Sequence, residues 1–344
     1  MMINQAVELS RGATRHGSCG LGFGETLECN LRPEFAICTQ DLFRPDLAQR
    51  LVHIRDVWAP KRLAELGLGQ MQSQIAMSFG DETTITRFLA DCAAYLDCVE
   101  LWPDHRIESL GTTIFEAAQG LQLDQDYGAF PYVTRSNTGL KNILAIAAEA
   151  GITSLDVSYV TRIYTTRHGA GPLESELTAL VNIDAVDPTN APNAWQGTLR
   201  FAPLDLGLLS KAITHDLALD RRGIAVNAGL AVTCLDQAKA SFPVVKGNEV
   251  MRLHPKSAGS SIAGAIGLPL YAESWGPRRS DVRLCVRASA FGEDGATMRN
   301  PTARAATIAA GACHIAAPRD DRATTVSCNI TGTHSLTEQV ESKL

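Results

Sequence analysis

Residues 114–137 read IFEAAQGLQLDQDYGAFPYVTRSN, and no other stretch restricts the fold as much. A short apolar run ends at Phe115 and reads as a strand. Residues 116–120 (EAAQG) turn the chain, Asp124 and Asp126 follow two apart, and residues 127–131 (YGAFP) turn it again. Residues 133–137 (VTRSN) then present a row of hydroxyl and amide groups. Hydrogen-bonding side chains at this density, hinged by Gly and Pro on a strand end, suit a polar small-molecule site. A plain polar surface loop is the other reading of the same spacing.

The chain has 344 residues and is 45% hydrophobic, enough for a large core in one domain or two. Charged residues make up 20% and the net charge is -6, which argues against non-specific nucleic-acid binding while leaving room for a nucleotide pocket with local arginines. No apolar run reaches the roughly 18 residues of a membrane span. The first 17 residues lack the apolar core of a signal peptide. The nine cysteines include no CxxC pair, as suits reduced thiols in a cytoplasm. Zinc is not expected, and Cys313-His314 stands isolated.

Residues 15–25 (RHGSCGLGFGE) hold four glycines in eight residues, a backbone that can approach an anion closely. They do not read G-x-G-x-x-G and no clear strand precedes them, so a dinucleotide-binding assignment does not follow. Leu47, Leu51, Ile54 and Trp58 keep helical spacing, with Pro60 expected to end or kink that helix. Ile85, Phe88, Leu89, Cys92, Tyr95 and Leu96 form a second stripe. Residues 139–151 read as a short helix ending at Gly151, and residues 155–165 as a strand feeding a Gly-rich turn at 166–172. Residues 184–197 are a Pro/Asn/Asp-rich loop, either mobile over a site or a surface excursion. Residues 204–213 are a helix candidate. Residues 228–236 read as a buried strand with Asp236 at its end, where a carboxylate can accept two N–H bonds from a guanine edge. From about residue 290 the period is lost, and residues 286–344 read as a low-order tail behind one domain of residues 1–285.

Four of these elements, in this order, resemble the adenylosuccinate synthetase family, which joins IMP and aspartate using GTP and magnesium. The family's FEGAQG and DxDxGTYPxVTSSN stand here as FEAAQG and DQDYGAFPYVTRSN. Its YTTRVGxGPFPTE stands as YTTRHGAGPLESE, its LTKLD as VTCLD, and its STGPxRxxT as SWGPRRSDV. HGSCGLGFGET looks like a variant of its GTTxRGIGPAY segment. The resemblance implies an α/β fold, with a mostly parallel central sheet and helices on both faces. It also implies an IMP site of Ser18, Arg32 (reaching a partner subunit's site), Gln119, Thr134, and the backbone of His168 and Gly169. Asp236, Ser274, Gly276 and Pro277 would hold GTP, and Thr198 and Arg200 would belong to the aspartate and phosphate loop. It implies a homodimer and a Mg2+ cofactor.

The departures bear on chemistry. The family's GDEGKGK loop holds the GTP phosphates and magnesium, its Asp is the base, and an NxGH element supplies the acid; neither motif stands in this sequence. Cys234 replaces the lysine of KLD, and the arginine run shrinks to residues 196–200 (QGTLR). No catalytic residue and no metal ligand is therefore assigned. Three readings remain: a GTP-dependent IMP–aspartate ligase whose first strand and phosphate loop lie upstream, a nucleotide-binding pseudoenzyme or subunit, and a ligase acting on another purine such as GMP or dGMP. A chain without that first strand would expose a sheet edge and is expected to be marginally stable.

Overall fold

The computed structural model describes residues 1–69, 82–111, 113–176, 178–187, 189–285, 304–308 and 326–329. The chain divides into two compact units, one of Met1–Pro103 with Ala194–Gln196, the other of Asp104–Asn193 with Gly197–Leu344. The first unit ends at residue 103 apart from its segment of residues 194–196.

The first unit is helical: α1 (Met2–Arg11), α2 (Phe23–Asn30), α3 (Leu47–His53), α4 (Ala59–Glu65) and α5 (Glu82–Leu96). Its core gathers Ile3, Val7, Cys29, Phe35, Trp58 and Leu63. The stripe from Leu47 to Trp58 is helical as expected, but Pro60 does not end it. A π turn (Ile54–Trp58) links α3 to α4, and Pro60 stands just after it, at the second position of α4.

The second unit is built on strands. Those before the tail are β1 (Thr113–Phe115), β2 (Ser154–Arg162), β3 (Tyr164–His168), β4 (Leu199–Asp205), β5 (Ala225–Thr233), β6 (Phe242–Lys246), β7 (Glu249–Leu253), β8 (Leu270–Ser274) and β9 (Val282–Leu284). Two more, β10 (Arg304–Ile308) and β11 (Val326–Asn329), come from the stretch expected to be a low-order tail. A seven-stranded sheet runs β1-β10-β11-β2-β5-β8-β9, parallel except for β9. Strands paired on both sides inside a parallel sheet need no in-out alternation, so five or four such residues leave little periodic trace. Cys313-His314 lies outside the described residues.

Helices α6 (Leu140–Glu149), α7 (Leu206–Leu217) and α8 (Pro255–Ile266) pack into the core of this unit. Leu140, Leu144 and Ala147 from α6 meet Leu155, Val157 and Tyr159 of β2, Leu209 and Ile213 of α7, and Leu230 and Val232 of β5. Each buried Leu, Ile and Val side chain among these contributes about 1.5–3 kcal/mol on burial. Gly151 closes α6 with φ of 72°, as its sequence position implied. The run 155–165 is not one strand: it breaks at Ile163, and β3 joins a second sheet of order β3-β4-β6-β7, so residues 166–168 continue a strand rather than open a turn. Among the described residues no helix is long and apolar enough to cross a membrane.

Candidate nucleotide site

Parallel pairing sends the C-terminal ends of β1, β2, β5 and β8 to one edge of the sheet. Ligands of α/β proteins collect at that edge. The loop after β1 carries Gln119 and Thr134, the turn after β5 carries Asp236, and the turn after β8 carries Gly276 and Pro277, with Ser274 closing the strand. β8 is next to β5, whereas β1 lies beyond β2 and β10.

The loop after β1 is cross-tied. Gln119 takes a left-handed backbone, φ 63°, and its amide approaches the Thr134 hydroxyl at 3.4 Å. Such a conformation in a residue other than Gly stores strain that the surroundings must hold. The Thr138 hydroxyl does so next door, donating to the Gly120 carbonyl at 3.0 Å. Asp124 is the hub: its buried carboxylate accepts from the Asp126 amide at 2.8 Å and the Thr138 amide at 2.6 Å. The Asn137 amide bonds Asp126 at 2.8 Å, and Lys141 pairs with Asp126 at 2.6 Å. The Thr134 N–H donates to the Leu123 carbonyl at 2.8 Å. The stretch is a closed structure, not a loose surface loop, and it leaves the Gln119 and Thr134 side chains half-buried at the sheet edge.

The β3–β4 hairpin adds two guanidinium groups. Arg167 and Arg200 are direct cross-strand partners. Burial, then the charge of Arg200, lowers the Arg167 pKa from its usual value. Arg167 donates to the Tyr132 carbonyl at 2.7 Å and the Ala170 carbonyl at 2.9 Å, tying the loop after β1 to β3. Arg200 pairs with Glu176 at 2.8 Å and donates to the Gly171 carbonyl at 2.7 Å. A Cβ on Gly171 would fall 2.6 Å from Arg167 and Tyr132, so only Gly allows this approach. His168 is buried with Nε2 3.1 Å from the Gly197 carbonyl; Gly169 follows with φ 85°, and Thr198 is exposed.

At the other loops Asp236 is exposed, in a short 3-10 turn after Cys234, which is itself left-handed at φ 62°. The Ser274 hydroxyl donates to the Gly276 carbonyl at 2.8 Å, and Pro277 is exposed. Residues 184–187 are pinned: the Arg162 and Asp187 side chains pair at 2.8 Å, only 6% and 4% exposed.

Ser18 and Arg32 belong to the first unit. Ser18 donates to the Asn4 side chain at 3.0 Å, and the Gly17 N–H donates at 3.0 Å to Glu8, so one amide of the Gly-rich turn is bound by the chain's own carboxylate. Arg32 holds Glu65 through two bonds of 2.8 and 3.0 Å. Among the described residues no three His, Cys, Asp or Glu side chains are grouped to hold a metal ion.

Sequence comparison adds a family to this geometry. The adenylosuccinate synthetase family model matches residues 1–197, more than half of the chain. The chain belongs to the adenylosuccinate synthetase family. It is 35% identical over 252 residues to adenylosuccinate synthetase 1 of Cupriavidus pinatubonensis, covering 68% of this chain and 51% of that one. It is 29% identical over 271 residues to the adenylosuccinate synthetase of Polynucleobacter asymbioticus, covering 73% and 54%. The chain thus spans about half the length of these relatives. The fold agrees with a fully ligated adenylosuccinate synthetase from Plasmodium falciparum, with a TM-score of 0.50, 14% identity, and coverage of 83% of this chain and 74% of that one.

Sequence reasoning missed Arg167 and Asp216. Asp216 sits at the end of the stripe Leu206, Leu209, Ile213, Asp216 on α7, spaced three, four and three, and is buried. A carboxylate on an apolar helical stripe was the signal that went unused.

Proposed function

We propose that this chain forms the purine-nucleotide half of a GTP-dependent ligase that joins IMP and L-aspartate to give adenylosuccinate, a step of AMP biosynthesis, acting in the cytoplasm as a homodimer. The observation that carries the proposal is Gln119, held left-handed beside Thr134 at the sheet's C-terminal edge, in a chain of this family. Gln119 would contact the reacting face of the purine, where the 6-oxygen is phosphorylated before the amine of aspartate displaces it. Thr134 would bond the IMP phosphate, and the backbone of His168 and Gly169 would lie along the ribose. Arg32 would serve the partner subunit's site. Asp236 is exposed at a strand end, free of strand pairing, and would accept the two guanine N–H groups of GTP; Ser274, Gly276 and Pro277 would wall that base. Arg200, with Thr198, would meet the charge of aspartate or phosphate.

No ligand for the family's Mg2+ is named among the described residues, and no step is assigned through it. Phosphoryl transfer rests on charge neutralisation, so binding without turnover is the second reading, favoured by Cys234 where the family has lysine.

Calorimetric titration with IMP, GMP and GTP, beside an assay for GTP- and aspartate-dependent product, tests both. IMP and GTP binding with product supports the ligase, and binding alone supports the second reading. A preference for GMP would move the activity to another purine. No purine-nucleotide binding would remove both readings.

A further inference from the structure

The start of α6 lacks a cap of its own, because Gly139 at the N-cap has no side chain. Two carboxylates from elsewhere supply what is missing. Asp124 accepts the Thr138 N–H at 2.6 Å, and Asp216, on α7, accepts the Leu140 N–H at 2.9 Å. The other Asp216 oxygen accepts the Tyr159 hydroxyl of β2 at 2.8 Å. Asp216 thus joins the first residue of α6 to a central strand. Its position is set closely: a Cβ on Gly139 would stand 2.1 Å from the Asp216 Oδ1. One residue before Gly139, the Thr138 hydroxyl holds the Gly120 carbonyl, adjacent to Gln119.

We propose that Asp216 is a positioning residue for the purine nucleotide: by fixing the start of α6 it holds Thr138, and through Thr138 it keeps Gln119 in its left-handed conformation beside Thr134. The inference rests on the nucleotide-binding reading above and touches no bound group directly. A hydrophobic residue on this stripe would pack equally well on the core but leave the Leu140 N–H and the Tyr159 hydroxyl without these acceptors. A charged acceptor at a helix N-terminus is also favoured by the helix dipole.

The groups around Asp216 define a pH signature. Tyr159 and the Leu140 amide face it from β2 and α6, Asp124 from the loop after β1, and His215 is its neighbour on α7, stacked at 4.7 Å on Tyr127. Asp126, Asn137 and Lys141 line the same small cavity. Burial raises the Asp216 carboxyl to about 6, against the lowering effect of its two hydrogen bonds. The anchor is therefore an ionised acceptor above about pH 6 and a neutral, weaker one below.

The test is IMP calorimetry on the full chain and on Asp216→Ala, Asp216→Asn and Gly139→Ala, from pH 5 to pH 8, with GTP as a control ligand. Asp216→Ala should weaken IMP binding by about tenfold, the loss of one charged hydrogen bond, and leave GTP within about twofold. Gly139→Ala, which displaces the carboxylate without removing it, should do the same. Asp216→Asn keeps an acceptor for the Leu140 amide and guards against loss of fold. Its IMP Kd relative to the unaltered chain should be near one at pH 5 and rise severalfold by pH 8, with the midpoint near 6; titration of the IMP phosphate cancels in that ratio. A flat ratio, or IMP binding unchanged in Asp216→Ala, overturns the positioning role. Failure of the unaltered chain to bind IMP instead overturns the functional reading, and this role with it.

Discussion

The Arg162–Asp187 pair gives the sharpest stability prediction. Arg162 ends β2, the strand at the middle of the sheet, and its guanidinium is buried over the Tyr164 ring at 5.9 Å. One nitrogen bonds Asp187 at 2.8 Å, and Nη1 is buried without a hydrogen-bond partner among the described residues. Asp187 also accepts from the Thr189 hydroxyl at 2.6 Å and Asn190 at 2.8 Å. Burial pushes the Asp187 carboxyl up, but Thr189, Arg162 and Asn190 more than offset this and bring it down to about 2. Replacing Asp187 by Ala strands a buried cation, a loss of about 3–5 kcal/mol. Asp187→Asn keeps an oxygen acceptor and should lose less. The sign with pH follows from a depressed carboxylate: its contribution is present above the unfolded value near 4 and is lost as pH falls towards 2. A drop from 3.8 to about 2 corresponds to roughly 2.5 kcal/mol. Urea unfolding at pH 7.5 and pH 3 measures both quantities. The gap between the original chain and Asp187→Ala should be several kcal/mol at pH 7.5 and narrower at pH 3. A gap below about 1 kcal/mol at pH 7.5, the worth of an exposed pair, would refute the claim that this pair is desolvated and structural.

Other outcomes follow from the same geometry. Asp216 has the opposite signature: its carboxyl is raised from 3.8 to about 6 by burial, so stability is present below about pH 4 and lost as pH rises through 6, by roughly 3 kcal/mol. Urea unfolding of Asp216→Asn should accordingly gain on the original chain by about that amount between pH 4 and pH 8. Gln119→Gly removes a strained left-handed residue worth of order 1 kcal/mol; its melting temperature should hold or rise while IMP affinity falls about tenfold, and an unchanged affinity would remove Gln119 from the site. Asp236→Asn should lower GTP affinity by about a hundredfold through two lost N–H bonds and leave IMP binding unaltered, as read by calorimetry.

The strands β2 and β5 and the helix α6 were legible from local pattern: β-branched and aromatic residues in β2, a short apolar run ahead of Asp236 in β5, and an apolar face closed by Gly151 in the helix. The break at Ile163 was not legible. Residues 155–165 are uniformly strand-like, and only the separate pairing of β3 with β4 divides them. Strands β10 (RAATI) and β11 (VSCN) escaped notice because segments this short become strands through their neighbours. In the candidate site, Gln119 and Thr134 could be named from the loop's motif. Their support could not, since Asp216 and Arg167 lie 97 and 48 residues after Gln119 in the chain and meet its loop only in the folded unit.

The place of β10 in the sheet has a consequence for how the molecule assembles during synthesis. β1, the strand from which the loop of Gln119 and Thr134 springs, pairs with β10 through Thr113–Ala305, Ile114–Ala306 and Phe115–Thr307. Its ladder partner is made about 190 residues later, so a ribosome-bound chain that has emitted the whole loop still lacks the strand that seats it. At about 5–20 residues per second that interval lasts roughly 10–40 s. That loop is written early in the chain and finished late, and nascent chains halted before residue 304 should hold β2 and β5 side by side while β1 waits for its neighbour.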